Sequence, residues 1–178
     1  NPRRHEQDST LLSSIQFFIT NSLEQRDQQL YLQNLSYSDT LTHLHNRNGY
    51  IERLNVWKKT KPERVGGIFI DLNGLKKTND EQGHEAGDRL ICRMAEILKE
   101  VFPQQAYRIG GDEFVVILPG IPEPEFDAKV QQLREALLRQ KVSAAVGSVW
   151  EPAPEDVEVL LRRADDRMYC EKEKIKRA

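Results

Sequence analysis

Leu12, Ile15, Ile19 and Leu23 recur at three- and four-residue spacing, which predicts a helix over residues 8–36. After Leu23 the stripe thins to Leu30 and Leu35, with Gln, Glu, Asp and Arg between them. A narrow seam on a long polar helix suits pairing with a second helix, and a lone amphipathic helix packed on its own domain shows the same pattern. The pattern breaks at Ser36–Tyr37–Ser38–Asp39. A second helix is expected from Asn46, a suitable N-cap, burying Tyr50, Leu54 and Trp57 and ending at the turn-rich Lys61–Pro62–Glu63–Arg64. Val65 to Ile70 is a short apolar run that reads as a buried strand, closed by Asp71. Residues 72–83 read as loop or a short helical turn. Leu90, Met94, Ile97, Leu98 and Val101 share one face of a helix over 84–101. Two β-rich runs flank Gly110–Gly111, the first over Ala106–Ile109 and the second over Asp112–Leu118. They predict a hairpin with a tight turn, because two successive glycines can take positive φ without penalty. Phe126, Val130, Leu133 and Leu137 mark another helix, 143–150 a strand, and Val157, Leu161, Ala164 and Met168 a last helix. Strands that alternate with helices and include a hairpin predict an α/β fold with a mixed sheet.

Length and charge narrow the function classes. The chain has 178 residues, enough for one domain and little more. Lys plus Arg is 26 and Asp plus Glu is 28, a formal net charge of −2. A chain so balanced lacks the basic footprint of a nucleic-acid or anionic-membrane binder. No apolar run approaches the roughly 18 residues of a membrane span, and Asn1 to Gln7 lack the apolar centre of a signal peptide. The two cysteines, Cys92 and Cys170, lie in helical patterns and do not form a disulfide framework or a cysteine metal site. These features predict a cytoplasmic segment with no membrane contact of its own. A longer chain could still be tethered to a membrane upstream.

Acidic groups gather in two places. Asp71 ends the buried strand, and Asp112–Glu113 follows the Gly-Gly turn. A carboxylate beside an apolar strand is costly to bury unless it is paired or bound to a metal. Mg²⁺ takes oxygen ligands, typically one or two carboxylates plus substrate phosphates. If the hairpin lies beside the strand, these acids can share a metal; a solvated hairpin tip is the plainer alternative. Residues 76–88 (KKTNDEQGHEAGD) are dense in groups that hydrogen-bond a base or a phosphate. Asn79 donates and accepts, and Asp88 can accept from an amino group and a ring N–H together, the edge that guanine presents. His84 and Asp88 also suit an ordinary first helical turn. Lys172 and Lys176 are four residues apart on the last helix, where the helix dipole alone would favour them. His43 and His45 read as loop histidines. The chain carries no Walker lysine motif, no dinucleotide glycine fingerprint and no HExxH.

In order along the chain, these pieces resemble the GGDEF family of diguanylate cyclase domains. The signature itself is Gly110–Gly111–Asp112–Glu113–Phe114, within Arg108–Phe114. Residues 39–47 (DTLTHLHNR) resemble the opening motif D-x-L-T-x-L-x-N-R. Residues 71–88 resemble D-x-D-x-F-K-x-x-N-D-x-x-G-H-x-x-G-D, and residues 164–172 resemble the closing A-D-x-x-x-Y-x-x-K. The resemblance implies a five-stranded mixed sheet wrapped by helices, like the palm of adenylate cyclases. It also implies condensation of two GTP molecules into cyclic di-GMP with release of two pyrophosphates. Each subunit of a homodimer would hold one GTP.

Roles implied by the resemblance attach to matching positions. Asp71, the carbonyl of Leu72, Asp112 and Glu113 would hold Mg²⁺, with Mn²⁺ as the alternative ion. Asp112 would also serve as base for the 3′-hydroxyl, supported by Glu113. Asn79 and Asp88 would read guanine, with His84 lining that pocket. Lys76, Lys172 and Lys176 would hold phosphates, and Gly110 and Gly111 would let the backbone approach them. Residues 1–36 would be a signalling, coiled-coil helix at the end of an upstream sensor, and 37–178 the catalytic domain. The sequence departs from the pattern at Asn73, at Leu75 after Gly74, and at Lys176, where the family has Arg and a lysine loses the planar fork. The R-x-x-D product-inhibition site is expected to be absent, because its window is Val101–Phe102–Pro103–Gln104. A non-catalytic GTP-binding regulatory module is the alternative, and a cyclase that joins GTP with ATP is a third reading that the acid at Asp88 disfavours.

Overall fold

The computed structural model describes residues 37–177, together with 16, 19–22 and 25. The chain divides into two compact units, Asn1–Ser36 and Tyr37–Ala178. In the first, the described positions are helical and exposed. The rest of the helix expected over 8–36, including Leu12, Ile15, Leu23, Leu30 and Leu35, lies outside the described residues.

The second unit begins with helix α1 (Arg47–Thr60), capped by Asn46, whose side chain accepts from the Gly49 N–H. Strand β1 (Arg64–Leu72) follows, then the short helix α2 (Leu75–Gln82), within the stretch 72–83 where loop or a short helical turn is expected. Helix α3 (His84–Val101) leads to the hairpin β2 (Ala106–Arg108) and β3 (Glu113–Pro119). Helix α4 (Glu123–Arg139), strand β4 (Ala144–Pro152) and helix α5 (Val157–Arg177) complete the unit. No described helix is long and apolar enough to cross a membrane.

The strands lie in the order β2-β3-β1-β4. Among the described residues the sheet has four strands and every neighbouring pair is antiparallel, where a five-stranded mixed sheet is expected. The apolar runs themselves marked these same strands; the fifth came only with the family resemblance. Parallel contact is confined to an isolated bridge between His45 and Tyr107. The mixture was inferred from helical crossovers. Here each crossover skips one place in the sheet, and the strand that fills the gap runs the opposite way.

Two-residue alternation along β1 sorts the core into two faces. Ile68, Ile70 and Leu72 join Phe114, Val116, Met94, Leu98, Phe126 and Leu133 on the α3/α4 face. Val65 joins Val115, Val149, Leu54, Trp57, Leu160 and Leu161 on the face covered by α1 and α5, against which Phe69 also packs. Asp71 shares the parity of Val65, Gly67 and Phe69, so it points toward α5. Packing there is very close. A methyl group at Gly67 would strike the Leu160 and Leu161 side chains, and one at Gly147 would overlap the backbone of Ala164 and Met168.

The hairpin turn differs from expectation. Neither Gly110 nor Gly111 has positive φ. The last hairpin pair is Arg108↔Phe114, so residues 109–113 span a wider connection than a Gly-Gly turn. A guanidinium braces it. Arg108 donates to the Gly111 carbonyl through Nη2 (3.0 Å) and Nε (3.3 Å), and through Nη1 to Asp39 Oδ1 at 3.1 Å. Asp39 also accepts from the Thr42 N–H (2.8 Å) and hydroxyl (2.6 Å). Burial raises the Asp39 pKa, but the Thr42 hydrogen bonds and Arg108 outweigh it, so the carboxyl sits below its usual range.

Gly147→Ala should cost about 3 kcal/mol, because the added methyl meets helix backbone that cannot give without moving α5. Gly111→Ala, whose methyl would meet nothing within 4 Å, should cost under about 0.5 kcal/mol. Urea unfolding of the two variants measures the difference.

Candidate active site

Chain direction brings the acids together. The end of β1 and the start of β3 are antiparallel neighbours, and the sheet pairs Asp71 with Glu113. The Asp112 carbonyl accepts from the Leu72 N–H at 2.9 Å. Asp71 is 5% exposed. Its Oδ2 accepts from Lys172 Nζ at 2.6 Å, whereas Oδ1 is buried with no hydrogen-bond partner. A buried carboxylate oxygen without a donor is a position that a cation would satisfy. Asp71, Leu72, Lys76, Asp112 and Lys172 line one cleft of about 590 Å³. The lining fits a hard cation: Asp71 and Asp112 both line the cleft, and one Asp71 oxygen is unpartnered, although Glu113 is not among the lining residues. No trio of His, Cys, Asp or Glu among the described residues is already set as a complete cage. That agrees with the habit of Mg²⁺, which completes its shell with phosphates and water.

Glu113 sits above the usual glutamate range. Burial is the main cause, with the charges of Asp112, Asp71 and Asp165 adding to it and Lys172 partly offsetting them. Asp165 is raised as well, by burial first and then by Asp166 and Asp71. The closing motif contained Asp165, yet sequence reasoning gave it no place in the acidic group. Its seven-residue spacing from Lys172 on α5 was the available signal, since that spacing keeps two residues on one helix face.

The other predicted residues fall around the α2–α3 corner. Lys76 is exposed at the start of α2, and His84 and Asp88 are exposed in the first turns of α3. The Asn79 side chain packs against Gly87, beside Asp88, so closely that a methyl group at Gly87 would overlap it. Asn79 Oδ1 is buried without a partner. Asn79, His84 and Asp88 are not among the residues that line the acidic cleft. Gly110 lies against the Glu113 carboxylate and Gly111 is open to solvent. Lys176 belongs to α5, but its side chain lies outside the described residues. Asn73 uses its side chain to donate to Ser143 Oγ at 3.1 Å, tying the end of β1 to the approach to β4. The His45 ring packs on Tyr107, with ring centroids 5.2 Å apart.

Comparison with known proteins identifies the family. The family profile described as diguanylate cyclase, GGDEF domain, matches residues 36–178. The chain belongs to the GGDEF family. It is 31% identical over 156 residues to the probable diguanylate cyclase DgcT of Escherichia coli K12, covering 79% of this chain and 34% of that protein. It is 29% identical over 166 residues to the cyclic di-GMP phosphodiesterase PdeR of the same organism, covering 86% of this chain and 25% of that protein. The chain thus spans about a third of DgcT and a quarter of PdeR. Among solved structures, the coiled coil and GGDEF domain of DgcB from Caulobacter crescentus, in complex with c-di-GMP, superposes with a TM-score of 0.79. That match is at 20% identity and covers 92% of this chain and 95% of the other.

The raised Glu113 makes a signed prediction. In the folded state its ionised form is disfavoured, so it lowers stability above its folded pKa, and the penalty vanishes as pH falls through that pKa and below the ordinary 4.5. With chelator present, Glu113→Gln should therefore be more stable than wild type at pH 7, by about 0.5 kcal/mol after solvent screening. The gap should close at acid pH. Denaturant midpoints across pH 4–8 read it out.

Proposed function

We propose that this chain is a diguanylate cyclase that condenses two GTP molecules into cyclic di-GMP as a homodimer. The observation that carries the reading is the buried, orphaned Asp71 Oδ1 at the end of a cleft shared with Asp112, Lys76 and Lys172. In each of two steps, the 3′-hydroxyl of one GTP forms a new bond to the α-phosphorus of the other, and the bond to pyrophosphate breaks. One half-site holds one nucleotide, so a second copy must supply the other.

Each residue has a physical task. Asp71, the Leu72 carbonyl, Asp112 and Glu113 would hold Mg²⁺ or Mn²⁺, which when bound would draw charge from the triphosphate and from the departing pyrophosphate. Lys76, Lys172 and Lys176 would hold the phosphates. Gly111, free of neighbours at its Cβ position, leaves room for a phosphate to come close to the backbone. Asn79 and Asp88 would read the guanine edge, with His84 beside them. Asp112 is the expected base for the 3′-hydroxyl, and the raised pKa of Glu113 suits it to share that proton.

The same reading extends to the ends and the regulation of the chain. Residues 1–36 would be a coiled-coil stem that carries a signal from an upstream sensor to the catalytic domain, 37–178, in the cytoplasm. In the product-inhibition window, Val101 and Phe102 are fully buried core residues, which supports the loss of that site. The likeness to PdeR, named a phosphodiesterase, favours a second reading, a GTP-binding regulatory module without turnover.

Incubation with GTP and Mg²⁺, with the product identified by mass, decides between them. The wild type should yield cyclic di-GMP, and Asp112→Ala should lower the rate by about a thousandfold or more. A dimeric wild type that binds GTP without product would favour the regulatory module. Added cyclic di-GMP should not inhibit non-competitively; strong inhibition of that kind would restore a product site.

A further inference from the structure

Asp71 meets a cation that the chain itself supplies. Lys172 Nζ lies 2.6 Å from Oδ2, with the lysine side chain 27% exposed and the aspartate side chain 7% exposed. The second oxygen, Oδ1, is buried and empty-handed. Helix packing brings the ammonium there. The close approach of α5 at Gly67 and Gly147 fixes the helix on the sheet, and Lys172 follows one turn beyond Met168. Both groups line the cleft that also holds Lys76 and Asp112.

We propose that Lys172 is a resident counter-cation that keeps Asp71 from binding a divalent ion alone and gives it up only when a triphosphate arrives. This inference rests on the reading of Asp71 as a metal ligand. Two cations cannot share one carboxylate cheaply: the ammonium cancels the charge that would attract the ion, and repels the ion at short range. A metal–GTP complex changes the balance, because its phosphates offer the ammonium a new anionic partner. Lys172 then leaves Oδ2, and both Asp71 oxygens become available together. Metal and nucleotide are thereby coupled in binding, each favouring the other. In the empty state the same pair neutralises a carboxylate that burial would otherwise make costly. Lys172 thus does two jobs in sequence, pairing with Asp71 before substrate and with phosphate after it.

The test measures Mn²⁺ binding to the whole chain by electron paramagnetic resonance of the free ion, with and without a non-hydrolysable GTP analogue. Wild type should bind Mn²⁺ alone at least about tenfold more weakly than with the analogue. Lys172→Met should bind Mn²⁺ alone about tenfold more tightly than wild type and lose most of its dependence on the analogue. In chelator it should melt below wild type, and Mn²⁺ should restore much of the loss. Lys172→Gln keeps a hydrogen-bond donor for Asp71 without the charge, and gives the same comparison if the methionine variant does not fold. Equal Mn²⁺ binding by wild type and both variants without nucleotide, with analogue-dependent binding intact in wild type, overturns the placeholder role alone. No Mn²⁺ binding by wild type even with the analogue overturns both the inference and the reading of Asp71 as a ligand.

Discussion

A carboxylate buried at the end of a central strand sets the conditions for everything around it. Asp71 sits on β1, which has β3 on one side and β4 on the other. It is nearly inaccessible to water. Such a group must find a cation or a set of donors, or else lose its charge. Lys172 answers one oxygen, and the other has no hydrogen-bond partner. The acids that come near, Glu113 through sheet register and Asp165 through α5, share a site where negative charge is already difficult, and the pKa values of both rise.

That arrangement depends on how closely α5 can lie on the sheet. At Gly67 and Gly147 no side chain separates helix and strands. Ala164 and Leu160 are fully buried there. A larger residue at either glycine would lift α5 and carry Lys172 away from Asp71. Stability and the Lys172–Asp71 pair are therefore joined through packing. On the opposite face, α3 and α4 cover Ile68, Ile70 and Phe114 and back the sheet behind the site. Arg108 performs a similar service for the hairpin, tying the Gly111 carbonyl to Asp39 near the start of the domain.

Much of the fold was legible because burial imposes strong periodicities. The stripe Met94, Ile97, Leu98, Val101 marked α3, and the run Val65–Ile70 marked β1, since those residues have few other ways to leave water. Asn46 was legible as a cap for the same local reason. The turn at Gly110–Gly111 was misjudged, because glycine permits positive φ without requiring it. Here Gly110 makes room for the Glu113 carboxylate, and the turn is shaped by Arg108, a residue on the strand before it. The mixed sheet was misjudged because apolar runs carry no strand direction.

The sequence by itself determined which side chains are available, their order, and their local elements. The four ordered motifs, with Asp71 at a strand end and Asp112–Glu113 after the glycines, were sufficient to place the chain in its family. Tertiary structure decided which of those groups meet. The antiparallel register opposes Asp71 and Glu113 across two strands far apart in the chain. The packing of α5 brings Lys172 to Asp71 across 101 residues of sequence and leaves Asp71 Oδ1 unpartnered. Such pairings are settled by strand direction and by how closely layers approach. Both are properties of the whole core, so no local run of residues encodes them.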